Sequence, residues 1–254
     1  MSPALPVILA ANRDEFYARP ATPPVALAPG IVGGRDLTSG GTWLALRTDG
    51  AFAAVTNQRS FGGRDPVRRT RGELPLALLA GEAREMPRIA AAIDAAAYNA
   101  GNLIFGSAEA IWVAYLRPDD GPRGTVEVVA LGPGLHVLAN DRLESPEFPR
   151  AEHLAASWPA SDQPWPALAA ALGRLLGDHA RPPDDRIPLP PPCAPYGHEF
   201  LASLQQICIH TPMYGTRSST IAGLVPGAVA HYLYADGSPC TTPFVDVALD
   251  ALVR

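Results

Sequence analysis

A chain of 254 residues with 47% hydrophobic and 18% charged residues can form one large domain around its own core and is too apolar for global disorder. Its formal net charge of -5 creates no long-range attraction for phosphate backbones, so nucleic acid is not an expected partner. Three cysteines, Cys193, Cys208 and Cys240, without Cys-x-x-Cys spacing, argue against a disulfide framework or a zinc site, so no metal is expected and a reducing cytoplasm fits.

Residues 3–11 are apolar, lack basic residues ahead of them and are shorter than a spanning helix, so neither a signal peptide nor membrane insertion is expected. Within them, residues 7–11 read as a short strand that stops at Asn12-Arg13-Asp14-Glu15. Residues 43–57 divide around Asp49-Gly50 into a tight hairpin, leaving Asn57 at a strand end. Residues 74–80 and 87–97 have helical composition, with Pro87 at a first helical position. Residues 102–107, 111–116, 125–131 and 135–140 then read as a meander of antiparallel strands. Residues 148–157 and 165–176 read as helices, and 181–195 hold too many prolines for either element, so they form an extended surface connection inside one domain spanning 1–254. Residues 205–210, 219–225, 229–235 and 244–249 supply the last strands. Strands and helices in separate groups, without regular alternation, predict an α+β architecture with antiparallel sheets. The wealth of proline and alanine reads as the coding bias of a GC-rich bacterium.

Polar groups recur where predicted strands end. Besides Asn12-Arg13-Asp14-Glu15 they are Gly33-Gly34-Arg35-Asp36, Gly40-Gly41-Thr42-Trp43, Thr56-Asn57, Asn99 with Asn102, Ala139-Asn140-Asp141 and Tyr214-Gly215-Thr216-Arg217-Ser218-Ser219-Thr220. A five-donor guanidinium beside a carboxylate at a strand end suits a shared cavity. So many polar side chains are costly to place without a site.

These motifs, in this order, resemble the NRDE family, whose best-known animal member is the transport and Golgi organisation protein 2. The resemblance runs through residues 10–20, 33–60, 71–74, 98–106, 132–149 and 214–220. It implies the four-layer αββα sandwich of the N-terminal-nucleophile hydrolases, near the bile-salt hydrolase and penicillin acylase branch. In that superfamily the first residue of the mature chain attacks an amide carbonyl, and its own α-amine, with a pKa of ~7.7 to 8.0, accepts the proton. By motif, Arg13 and Asp14 are implied as the orienting pair, Asn57 and Asn140 as oxyanion and amine-positioning amides, and Arg217 as a second positive group. Asn12, Arg35, Trp43 and Thr216, from the same motifs, are the further ligand-binding candidates. Strand-end capping accounts equally well for the two asparagines, and a buried ion pair for Arg217.

The family usually begins Met-Cys, followed by a strand and a hairpin ahead of the segment equivalent to residues 7–13. Here Ser2 lies eleven positions before Arg13 (13 − 2 = 11), with Pro3 and Pro6 between them. At roughly 3.3 Å per extended residue that contour holds one strand but not a strand, a reversal and a second strand. Ser2 is therefore a poor nucleophile. Either a Met-Cys segment lies upstream, or the protein keeps the pocket without the attacking group, and the chain as written is expected to hydrolyse no amides. A second expectation is that residues 7–11 lie beside an open sheet edge.

Ligand carriage is the rival to hydrolysis, because the family is linked to haem trafficking and to acyl-coenzyme A and lipid handling. No cofactor is required, but haem is a candidate ligand through His210, Met213, Cys208 or His136, although packing explains these residues too. For acyl-coenzyme A, Arg64, Arg68, Arg69 and Arg71 are candidates for a basic mouth. Trp43, Phe52, Phe105 and Trp112 are candidates for an apolar tunnel. A small acyl, amide or haem-like molecule is the expected partner, and the sequence sets no oligomeric state.

Overall fold

Along the first strand, Val7, Leu9 and Ala11 alternate with Ile8 and Ala10, and a strand that is apolar on both faces must be covered on both. The computed structural model meets this demand with two stacked sheets between helices. It describes residues 5–59, 63–143, 145–190, 192, 194 and 197–252, without the side chains of 250 and 251. In chain order the elements are β1 (Val7–Phe16), β2 (Ala21–Ala28), β3 (Ile31–Asp36), β4 (Leu44–Arg47), β5 (Phe52–Asn57), α1 (Leu74–Leu79), α2 (Met86–Ala91), β6 (Gly101–Gly106), β7 (Ile111–Arg117) and β8 (Thr125–Leu131). They continue with α3 (Pro149–Ala156), α4 (Trp165–Leu176), α5 (His198–Ser203), β9 (Tyr214–Val225), β10 (Ala228–Ala235), β11 (Val245–Asp246) and α6 (Leu249–Leu252).

One sheet has the order β1-β9-β10-β11 and the other runs β2 to β8 in sequence order. All the pairings are antiparallel. Val7, Leu9 and Ala11 pack between the sheets with Val32, Leu46, Phe52 and Leu224. Ile8 and Ala10 pack against Leu168, Leu172 and Leu176, an i, i+4 row that forms the buried stripe of α4. On the far side Leu74, Leu78, Leu79 and Met86 of α1 and α2 cover Ala53, Leu103, Phe105 and Ala114 of the larger sheet. The architecture is the expected α+β four-layer αββα sandwich. Prolines in the first turns of α1, α2, α3 and α4 occupy positions where a backbone donor is not required.

The hairpin around Asp49-Gly50 and the helix at 165–176 form as expected. The polar motifs require a correction. Asn12-Arg13-Asp14-Glu15 does not follow a strand but lies inside β1, and residues 214–220 likewise lie inside β9. The two stretches pair with each other, Asn12 opposite Ser219 and Arg13 opposite Ser218, so the ladder satisfies backbones that each stretch alone leaves open. Residues 135–140 form no strand, and neither do 205–209. The first of these crosses to β5, where Ala139 O accepts the Thr56 hydroxyl and Asn140 O accepts the Arg59 N–H. β2 went unforeseen because Pro23-Pro24 suits an edge strand only, which is its place.

β1 pairs with β9 alone, so its other edge carries no strand among the described residues. Ser2 and Cys193 lie outside the described residues. Among those residues no helix is long and apolar enough to cross a membrane.

Candidate functional site

Alternation along β1 divides its motif between two faces. Arg13 continues the inter-sheet row of Val7, Leu9 and Ala11, and its guanidinium carbon stands 4.5 Å over the centre of the Trp43 ring. Burial lowers its pKa, partly countered by Glu15 and Asp36. A charge there is tolerable because an aromatic face and two nearby carboxylates replace water. Asn12 and Asp14 face the helical layer instead. The Asn12 amide nitrogen donates to Leu176 O at 2.9 Å and to Ile207 O at 2.8 Å, and its oxygen accepts the Ser219 hydroxyl at 2.6 Å.

Asp14 is the centre of a longer network. Its Oδ1 accepts the Thr216 hydroxyl at 2.7 Å, and its Oδ2 stands 3.7 Å from Arg150 Nη1. Burial raises its pKa, with Arg150, the Thr216 hydroxyl and Arg13 opposing. Desolvation exceeds charge pairing here, so the neutral carboxyl is favoured relative to water. Arg150 enters from the first turn of α3, and its Nη2 donates to Asn140 Oδ1 at 2.7 Å. Asn140 Nδ2 donates to Asn57 O at 2.8 Å, and Asn57 Oδ1 accepts Arg71 Nη2 at 2.6 Å. Burial, with Arg64 and Arg19 nearby, lowers the Arg71 guanidinium to about 10, so it stays charged at neutral pH.

Thr216, Asp14, Asn140 and Asn57 are thus joined through Arg150, which the sequence reading omitted. Its one local sign was a basic residue in the first turn of a predicted helix, where the helix dipole makes a cation unfavourable without a carboxylate partner. Arg217 stands at the β1–β9 bulge, where the register moves from Arg13–Ser218 to Asp14–Thr216. It donates to Tyr17 O at 3.2 Å. Arg35 lies on β3 with its backbone N–H bonded to the Thr22 hydroxyl.

A cleft of about 700 Å3 runs along the open edge of β1. Residues 5–12 form one wall, Phe52, Ala54, Thr56 and Ile104 a second, residues 131–139 a third, and Leu154, Leu176 and Ile207 complete it. Its polar lining consists of Asn12, Asp14, Thr56, Ser107, Glu109, His136, Arg150 and Ser161. Arg13, Trp43, Arg35, Asn57, Asn140, Thr216 and Arg217 are not among its lining residues. Asn102, buried opposite Thr56 on β6, donates to Thr56 and to Asp141 O, and its own carbonyl oxygen has no partner among the described residues.

The other candidates scatter. His136 lines the cleft, whereas His210 and Cys208 lie against Cys240 and Met213 is 69% exposed, so these four do not converge. Phe52 lines the cleft, but Phe105 and Trp112 stack together in the core under α1 and α2. Arg68 binds Asp119, Arg69 pairs with Glu73 and Arg71 holds Asn57, so these three are engaged away from the cleft.

Two crystal structures of conjugated bile acid hydrolase variants from Clostridium perfringens superpose with TM-scores of 0.53 and 0.52 at 8% and 9% identity. They cover 97% and 96% of this chain and 90% of theirs. At that identity the likeness establishes the fold, that of the N-terminal-nucleophile hydrolases. Transport and Golgi organization protein 2 homologs from Bos taurus and Homo sapiens are each 32% identical, over 250 and 248 residues, covering 91% of this chain and 86% of theirs. The Mus musculus homolog is 29% identical over 252 residues. Residues 1–226 match the family described as Transport and Golgi organisation 2, and the chain belongs to that family.

Proposed function

We propose that the cleft along β1 binds a small acyl or amide-linked molecule, with its apolar part against Phe52, Ala54 and Ile104 and its polar end at Asp14 and Arg150. The observation that carries this reading is the mixed lining of the cleft. Phe52, Ala54 and Ile104 offer apolar surface, and the Arg150 guanidinium beside the buried Asp14 carboxyl offers a polar anchor, with Ser107, Glu109 and His136 elsewhere on the wall. Arg150 suits a carboxylate or a polarised carbonyl. The edge of β1 that carries no strand among the described residues adds backbone donors and acceptors for an amide. One of the two Asn140 amide hydrogens already serves Asn57 O, which leaves a single donor there for an oxyanion.

Titration with a fluorescent fatty acid, an N-acyl amino acid and an acyl thioester tests the proposal. Saturable binding is expected, weakened at least about tenfold, or ~1.4 kcal/mol, when Ile104→Trp fills the apolar part of the cleft. Unchanged affinity in that variant would place the ligand elsewhere. The named structural neighbours are variants of a conjugated bile acid hydrolase, so the same acyl amides are also assayed for product release. Turnover that disappears in Arg13→Ala would extend the reading from binding to cleavage.

Carriage of haem has one observation behind it, the imidazole of His136 on the cleft wall. A Soret shift on haemin titration that is lost in His136→Ala would favour that reading over the acyl one.

A further inference from the structure

Four metal-ligating side chains outside the cleft meet at one point although they come from three distant segments. His179 follows the end of α4, Cys208 and His210 lie in the segment that enters β9, and Cys240 lies in the loop after β10. One ligand atom from each lies within 4.8 Å of all the others. Cys208 Sγ is 3.8 Å from Cys240 Sγ and 3.8 Å from His210 Nε2, and His210 Nε2 is 3.2 Å from Cys240 Sγ.

We infer that His179, Cys208, His210 and Cys240 form a tetrahedral Cys2His2 zinc site. Zinc bonds of ~2.3 Å to sulfur and ~2.1 Å to nitrogen place two ligands on a tetrahedron about 3.8 Å apart for sulfur and sulfur and about 3.6 Å for sulfur and nitrogen. Both Cys208 spacings match, and the His210–Cys240 pair needs only a small opening. Two thiolates with two imidazoles are borderline-soft donors, which suit zinc and disfavour magnesium or calcium.

The supporting shell fits the same assignment. His179 Nδ1 lies 2.9 Å from the Cys208 carbonyl oxygen, which fixes the ring and leaves Nε2 for the metal. The Gln206 amide donates to His179 O at 2.7 Å, and Cys208 N–H donates to Asp178 O at 2.8 Å, so the two ligand segments are bound to each other. Gly177 makes room for the fourth ligand, since a Cβ there would lie 3.2 Å from Cys240 Cα. Cys208 and His210 alternate around Ile209, which is buried at 1% exposure. Cys208 is itself fully buried while His210 is exposed, so the pair spans the boundary between core and surface. A Cys208–Cys240 disulfide would use the same sulfurs but would bring them to ~2.0 Å and leave both imidazoles without a role.

Such a site would clamp the end of α4 to the entrance of β9 next to Leu176 and Ile207, the two carbonyls that Asn12 holds. The test uses full-length protein purified in reductant without a polyhistidine tag. Elemental analysis is expected to give about one zinc per chain. Replacement by cobalt should give the intense visible bands of a tetrahedral ion with a thiolate charge-transfer band. Cys240→Ser and His210→Gln alter exposed ligands, and each should weaken metal binding more than about 100-fold, beyond what loss of an outer-shell partner costs. Cys193→Ser should leave the cobalt spectrum unchanged. Wild-type protein that takes up neither zinc nor cobalt with the thiolate band, or that keeps the band in both ligand variants, would overturn the assignment. Recovery of a Cys208–Cys240 disulfide in place of metal would do the same.

Discussion

Arg150 Nη1 stands 3.7 Å from Asp14 Oδ2, and the two side chains are only 16% and 15% exposed. Removing one partner strands the other. Arg150→Met should cost about 3–5 kcal/mol by urea denaturation in the wild type and distinctly less in an Asp14→Asn background, because the buried negative charge is then gone. Equal cost in the two backgrounds would show that the charges do not interact.

The pH dependence of Asp14 follows from the same burial. Desolvation raises its native pKa despite Arg150 and Thr216, so the native state holds the proton more tightly than the unfolded chain does. Above the native pKa the ionised carboxylate is a penalty on folding. As pH falls through that value the penalty is relieved, and below the unfolded pKa the relief is complete. Asp14→Asn should therefore be more stable than wild type at neutral pH, with the difference narrowing as the solution is acidified. Thermal melts of both proteins from pH 8 downward give the comparison, and a gap that widens in acid would mean that Asp14 is stabilised as the anion.

Trp43 occupies space that Gly34 leaves open. A Cβ at Gly34 would lie 2.1 Å from Trp43 Cη2, so Gly34→Ala must push the indole from beneath Arg13. A cost of about 1–3 kcal/mol is expected for such overpacking, together with a change in tryptophan emission. Gly34→Ala made in a Trp43→Leu background should recover most of that cost. Failure to recover would locate the strain in the β3 backbone.

These relationships mark what local pattern can and cannot reveal. The hairpin at Asp49-Gly50 and the leucine stripe of α4 are specified by neighbours in sequence, and both form where their residues indicate. The polar motif in β1 reads as a strand end because its partners, Thr216, Ser218 and Ser219, lie about 200 residues later. Only pairing across that separation makes a polar strand interior acceptable. Residues 135–140 fail for the opposite reason. Their composition suits a strand, but a strand needs a neighbouring edge, and their hydrogen bonds go to Thr56, Asn57 and Arg59 instead. Of the cleft's lining, Asn12 and Asp14 carry a visible motif, whereas Asn57 and Asn140 lie outside the lining and connect to Asp14 through Arg150. Arg150, which joins them, shows locally only as a basic residue in the first turn of a helix, since its partners sit on β1 and after β8. In the same way Cys208-x-His210 is visible as a pair, while His179 and Cys240 join it only through packing.

Asn12 gives the sharpest test of how the strand motif works. Its amide closes three bonds at once, two to carbonyls of separate helical-layer segments and one from Ser219. Alanine would leave Leu176 O and Ile207 O without this donor and should cost about 2–4 kcal/mol, since a net bond contributes about 1 kcal/mol and an orphaned buried acceptor adds a desolvation penalty. Aspartate has nearly the same shape but no donor, and it would set a negative charge against two carbonyl oxygens. Asn12→Asp should therefore be more damaging than Asn12→Ala at neutral pH and should recover toward it in acid, where the protonated carboxyl regains one donor. Denaturation of the three proteins at two pH values decides the matter. If the aspartate variant proved the more stable at neutral pH, the amide would be no tether between β1 and the helices.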